Sequence, residues 1–150
     1  MDAEVGTSRA RPHRRWLRRV LLIVLSFAFY PAFVLGTVYI ATSRSDLPGG
    51  RHGPKDAYRH TLASATVAYT GSARWVDWVT FVMEGDGRGY AARMMDVHNN
   101  RIGARIGAHA KSWNEMNAAV LQAVEAGGVT IEDEDRITWL PPERWQDRWY

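Results

Sequence analysis

The stretch Met94-Met95-Asp96-Val97-His98-Asn99-Asn100-Arg101-Ile102-Gly103 places a carboxylate, an imidazole and two amides within five consecutive residues. The apolar residues around these groups recur with the 3.6-residue period of an α-helix, which predicts a helix over about 90–110. Its predicted inward face includes His98 and Asn99. A buried amide or imidazole without a partner costs about 1 to 3 kcal/mol. Both side chains therefore need partners, which could be core groups, a metal ion or a substrate.

Three further helices are predicted around this stretch. Gly53-Pro54 suits a helix start, and this helix should run to residue 70, because Gly71 ends it. A second helix, over about 72–84, has tryptophan, valine and methionine at the spacing of a core-facing stripe. A capping box formed by Ser112 and Glu115 starts the last helix.

The C-terminal part of the chain follows two glycines, Gly127-Gly128, which stop the last helix. The segments 129–131 and 137–140 are separated by an acidic turn and could pair as a short C-terminal β-hairpin. The predicted fold class is therefore mostly α, with an N-terminal transmembrane helix, a small bundle of about four helices and this short hairpin.

The first 41 residues differ from the rest in charge and hydropathy. They hold six arginines against two acids, whereas residues 42–150 hold 13 basic and 14 acidic residues. The arginines precede a run, 20–41, without any charged residue; as a helix it would span about 33 Å, enough for a hydrocarbon core of about 30 Å. The sequence predicts a basic cytoplasmic segment 1–19, a transmembrane signal anchor 20–41, a linker 42–53 and a helical domain 54–150.

The arginines should stay on the cytoplasmic side, which places the domain outside the cytoplasm. In a bacterium this means the inner (cytoplasmic) membrane, with the domain in the periplasm or on the cell exterior. The alternative is a secreted protein with a cleaved signal peptide, since Ala41-Thr42-Ser43 offers small residues for a peptidase. The anchor is favoured because the apolar run exceeds the usual length of about 7 to 15 residues in signal peptides.

Composition disfavours two classes of site. The excess of basic residues belongs to the N-terminus, so the folded domain is not predicted to bind nucleic acid. The chain has no cysteine, which excludes disulfides and thiolate metal sites.

The polar residues on helix faces that should meet suit a hydrolytic site. Histidine nitrogen and carboxylate oxygen bind Zn²⁺ or a similar divalent ion, and three protein ligands leave a position for water. On a straight helix Asp96 and His98 point about 160° apart, so they cannot share one ion. The predicted metal ligands are therefore His60 with Asp96 or Glu84, with Asn99 as an orienting residue. A metal-free alternative uses His60 as general base, oriented by Asp56 one helical turn away.

The residues Asp56-Ala57-Tyr58-Arg59-His60 and the Met95–Gly103 motif resemble those of an uncharacterised bacterial domain family. This family has an Ala-aromatic-Arg-His helix, a central helix that ends in an acid, and a Met-Asp-x-His-Asn-Asn-x-x-Gly helix. The resemblance covers about residues 53–110. The resemblance implies that one site contains the residues Arg59, His60, Asp96, His98, Asn99 and Gly103. The family acid that matches Glu84 commonly follows a histidine, whereas this chain has Met83 there.

Two functions from different classes fit these observations. The first is a hydrolase, metal-dependent or metal-free, which acts on an envelope substrate such as a lipid or a cell-wall component; its catalytic residues would be His60, Asp96, His98, Asn99 and Arg59. The second is a non-catalytic envelope interaction module, in which the same polar residues form a structural hydrogen-bond network. In the second case the acidic turn 132–135 and the tryptophan-rich end 145–150 would meet a protein partner.

Overall fold

The computed structural model of the chain describes residues 12–71, 89–129 and 133–146. These residues are mostly helical, which confirms the predicted mostly α fold class. No strand is formed within the described residues, so the described part of the predicted hairpin is not a pair of strands. The helices are α1 (Pro12–Arg44), α2 (Pro54–Thr70), α3 (Tyr90–His109), α4 (Trp113–Glu125) and a 3₁₀ turn (Pro142–Arg144). The predicted helix 72–84, which contains the candidate ligand Glu84, lies outside the described residues.

The long helix α1 runs through the boundary between two compact units, Met1–Phe33 and Val34–Tyr150. Its length and composition over Arg15–Arg44 suffice to cross a membrane, a test that signal sequences also pass. Within the second unit, Val34, Val38 and Thr42 follow one another at four-residue intervals and are buried. The last turns of α1 are therefore part of the folded domain.

Helices α2 and α3 pack with their backbones unusually close together. Gly103 and Gly107 lie on one face of α3, and a Cβ atom on either would overlap the backbone carbonyl of Thr61 or Ala65 in α2. All four residues are buried. Only glycine allows this approach, because any side chain would have to displace backbone atoms.

Helix α4 packs on α2 and α3 through Met116, Val120 and Val124, which are fully buried. Its predicted start is confirmed, since Ser112 accepts a hydrogen bond from the Glu115 amide at 3.2 Å. This cap satisfies one of the amide groups that the first turn of a helix leaves without a backbone partner.

The C-terminal segment 136–146 folds back onto the helical domain. Arg51 and Gln146 form an antiparallel bridge, and the Leu140 amide donates to the His52 carbonyl at 3.0 Å. The predicted second hairpin strand, 137–140, forms an isolated parallel bridge between Thr138 and Gly128. Part of the predicted first strand, residues 130 and 131, lies outside the described residues.

The contact between α2 and α3 can be tested by adding one methyl group. We expect Gly103→Ala to lower the free energy of unfolding by about 3 kcal/mol, because the new Cβ meets the Thr61 carbonyl and the two helices must separate. The measurement is a urea titration of the full chain in mild detergent.

The matched control is Gly36→Ala, which also changes a helical glycine, at a position where a Cβ would meet no heavy atom within 4 Å. Its stability should be unchanged or slightly raised. Equal stability of the two variants would show that the α2–α3 contact tolerates a side chain.

Candidate active site

Asp56 lies in the first turn of α2, and its carboxylate is held by groups on both sides of it along the chain. One oxygen, Oδ2, accepts the backbone N–H of His52 at 2.7 Å, and the other, Oδ1, pairs with Arg59 Nη2. The backbone of His52 is left-handed, with φ of 69°. The side chain of Asp56 is only 2% exposed. A carboxylate buried this deeply needs such charge-assisted hydrogen bonds.

His60 lies one turn further along α2, between two carboxylates. Its Nε2 atom is 3.6 Å from Oδ1 of Asp56 and 3.6 Å from Oδ1 of Asp96 on α3. The side chain of Asp96 is 2% exposed and that of His60 is 17% exposed. The two acids are therefore inside the protein, while the imidazole between them can be reached from solvent.

These three side chains can together hold a divalent ion. One ligand atom from each residue can be chosen so that all three lie within 4.8 Å of one another. Ligands bound to a tetrahedral ion at about 2.1 Å lie about 3.4 Å apart, close to the two 3.6 Å separations at His60. One imidazole and two carboxylates suit Zn²⁺ and other divalent first-row metals. We call this group, Asp56, His60 and Asp96, the acid–imidazole cluster.

Arg59 adds a fixed positive charge at the edge of the acid–imidazole cluster. Its Nη2 atom contacts Oδ1 of Asp56 and lies 3.4 Å from Nε2 of His60. A divalent ion, the Arg59 charge and two carboxylates would together carry one positive charge. A divalent ion held here would therefore leave a site that favours an anionic ligand or substrate group.

The structure does not bring every predicted site residue to this cluster. Asn99 is fully buried and pairs with the backbone of Thr138: Nδ2 donates to its carbonyl at 2.7 Å, and Oδ1 accepts its N–H at 3.0 Å. His98 Nε2 donates to the Arg136 carbonyl at 2.7 Å. Within the described residues, the hydrogen bonds of His98 and Asn99 go to segment 136–138. Their suggested catalytic roles stay predictions.

Two other residues of the motifs also have packing partners. Asn100 accepts a hydrogen bond from Ser64 Oγ at 2.8 Å, which ties α3 to α2. Gly103 supplies the close helix contact described above. The candidate ligand Glu84 lies outside the described residues, so its predicted role stays a prediction.

Sequence reasoning missed the contribution of His52. It lies in a glycine-rich loop without periodicity, so no pattern predicted that its N–H would bind Asp56. Its Nδ1 atom is also 3.8 Å from Oδ2 of Asp56. The positive φ of a non-glycine residue next to an acidic first turn is the signal that marks it, and only the structure provides this signal.

The fold changes the ionisation of Tyr58, which precedes Arg59 in α2. Burial raises the pKa of its phenol above the usual value of 10.0, since the charged form loses hydration. Tyr58 therefore stays protonated at neutral pH and does not act as a base there.

Comparison with known proteins identifies a family. The chain matches the family described as Domain of unknown function (DUF6973) over residues 20–127, and it therefore belongs to that family. No curated protein and no solved structure matches it. The matched range includes α1 from residue 20 as well as the acid–imidazole cluster. The segment 136–146, which His98 and Asn99 hold, lies beyond the match.

The structural role of Asn99 can be tested by removing its amide. We expect Asn99→Ala to lower the free energy of unfolding by about 3 kcal/mol, because the N–H and carbonyl of Thr138 lose their partners inside the protein. Urea titration of the full chain in detergent measures this loss.

Asn117→Ala is the control, since Asn117 also donates to a backbone carbonyl but lies at the partly buried surface of α4. It should cost less than about 1 kcal/mol. If the two variants unfold together, the Asn99 amide does not hold the C-terminal segment.

Proposed function

We propose that this member of the family is a membrane-anchored hydrolase whose reacting centre is the acid–imidazole cluster, with a divalent ion held by Asp56, His60 and Asp96. The supporting observation is that His60 Nε2 lies 3.6 Å from carboxylate oxygens of two different helices. A structural ion pair needs only one such acid. The two buried carboxylates carry more negative charge than the single positive charge of Arg59 offsets, and a cation bound beside His60 would offset the remainder.

The bound ion would supply a hydroxide at neutral pH and polarise the bond to be broken. The side chains of the cluster and of Arg59 would hold the ion and stabilise charge on the substrate. Asp56 and Asp96 would supply the negative charge that binds the ion beside His60, and the two N–H groups around Asp56 keep its carboxylate in place. Arg59 would stabilise the negative charge that develops on the substrate. In a metal-free version of the reaction, His60 would take the proton from water as general base.

The proposed location is the outer side of the cytoplasmic membrane, with the basic N-terminus inside. Burial of Val34 and Val38 supports an anchor that is retained rather than cleaved, since cleavage near residues 41–43 would remove both from the folded unit. The family match supports it too, because it starts at residue 20. An enzyme held there would meet envelope substrates, either lipids or cell-wall components.

A second candidate is a non-catalytic interaction module. It is favoured by the structural hydrogen bonds that residues of the Met95–Gly103 motif make. His98 and Asn99 bind the backbone of segment 136–138, and Asn100 binds Ser64. Part of the motif is thus a structural network. The hydrolase proposal requires that the acid–imidazole cluster is not another part of the same network.

Metal titration tests the proposal directly. We expect the full chain in detergent to bind Zn²⁺ or Mn²⁺ at one site, measured by isothermal titration calorimetry after dialysis against a chelator. His60→Ala should weaken binding by at least about 100-fold, because it removes a ligand. The control is His109→Ala, which changes an exposed histidine of α3 that contacts the Arg105 carbonyl. It should leave binding unchanged.

His60→Ala and a further variant, Asp96→Asn, distinguish the two candidate functions. For a hydrolase, His60→Ala should lower kcat/KM for p-nitrophenyl esters or bis(p-nitrophenyl) phosphate by about 10²–10⁴. Asp96→Asn should leave the midpoint of thermal unfolding unchanged or raise it, as is common when a functional site is neutralised. A lowered midpoint, together with activity that survives His60→Ala, would favour the interaction module.

A further inference from the structure

We infer that the folded domain itself, and not only a separate anchor, contacts the hydrocarbon of the bilayer through the exposed face of the last turns of α1. This face consists of Leu35, Tyr39 and Ile40, which we call the lipid face. The inference rests on the membrane anchor in the proposed function, and it does not depend on the hydrolytic activity.

The first step concerns the length of helix that precedes the folded domain. The charge-free run begins at residue 20, and the compact domain begins at Val34, so 14 residues precede the domain. As a helix they span about 21 Å, which is about 9 Å short of a hydrocarbon core of about 30 Å. About six more residues of α1 are needed to complete the span, and they reach Tyr39.

The second step is the pattern of burial within those added residues. Val34 and Val38 are 7% and 4% exposed, so their side of α1 is covered by protein. Leu35, Tyr39 and Ile40 are 51%, 69% and 50% exposed, although all three are large and apolar. One stretch of helix therefore presents a protein-covered side and a bare apolar side at the depth of the outer leaflet.

The third step is the chemistry at the end of the span. The first charged residue after residue 19 is Arg44, the last residue of α1, and Asp46 follows in the loop. Arg44 is five residues beyond Tyr39, about 7 Å along the helix, which suits the headgroup region. Tyr39 would then lie at the outer edge of the hydrocarbon, with its hydroxyl near the interface, where tyrosine is enriched. Lipid is therefore the occupant that fits the lipid face.

Because the chain contains no cysteine, single cysteines can be labelled at chosen positions. Leu35→Cys and Tyr39→Cys place a fluorescent NBD probe on the lipid face, and both positions are exposed, so the fold should tolerate them. Val24→Cys reports on the part of the anchor that precedes the domain, and Glu125→Cys reports on an exposed position of α4. The full chain is reconstituted in phosphatidylcholine and phosphatidylglycerol vesicles, with doxyl-labelled acyl chains or aqueous iodide as quencher.

We expect acyl-chain doxyl to quench the probes at residues 35 and 39 to within about twofold of the probe at residue 24, and iodide alone to quench the probe at residue 125. The inference is overturned if residue 24 is lipid-quenched but residues 35 and 39 are quenched only by iodide. It is also overturned if neither quencher reaches them, since protein, such as a second copy of the chain, would then cover the lipid face. If doxyl fails at residue 24 as well, the anchor in the proposed function is wrong.

Discussion

The close contact between α2 and α3 is the constraint on which the candidate site depends. Gly103 and Gly107 allow the two backbones to approach until a Cβ atom would have no room. His60 precedes the contact residue Thr61 directly, and Asp96 lies two turns before Gly103. A closely packed pair of helices can hold an imidazole and a carboxylate at a fixed separation without any disulfide, and the chain has no cysteine to form one.

The polar motif in α3 contacts two neighbouring segments, α2 and the C-terminal segment, because a helix turns by about 100° at each residue. Asp96 faces the imidazole of α2, Asn99 faces the C-terminal segment, and Asn100 faces Ser64. The carbonyl of Ile137 and the amide of Trp139 bind Gly128, while Thr138 turns its own amide and carbonyl to Asn99. The side chain of Asn99 therefore takes the place of a neighbouring strand. A dense polar motif thus combines a candidate reactive group with groups that hold the fold together.

Helix α1 combines the composition of a membrane span with residues of the folded domain. Its uncharged run has the composition of a membrane span, yet its last turns contribute buried residues to the domain that carries the acid–imidazole cluster. The family match includes both parts. Residues 34–41 therefore belong both to the uncharged run and to the folded domain.

The sequence alone was sufficient for the features that depend on near neighbours in the chain. It predicted α2 from Pro54 and Gly71, α3 within one residue of its observed end, and the start of α4 from Ser112, because capping and periodicity act over a few residues. It also indicated that His60 and Asp96 belong together. Only the tertiary structure decided which polar side chains of the motif face that pair. The hydrogen bonds of His98 and Asn99 depend on where the chain places residues 136–138 against α3. Those residues come about 40 positions later, and no local pattern predicts their position. The contribution of His52 is only partly local: its amide binds Asp56 four residues later, whereas its carbonyl accepts the amide of Leu140 from the far end of the chain.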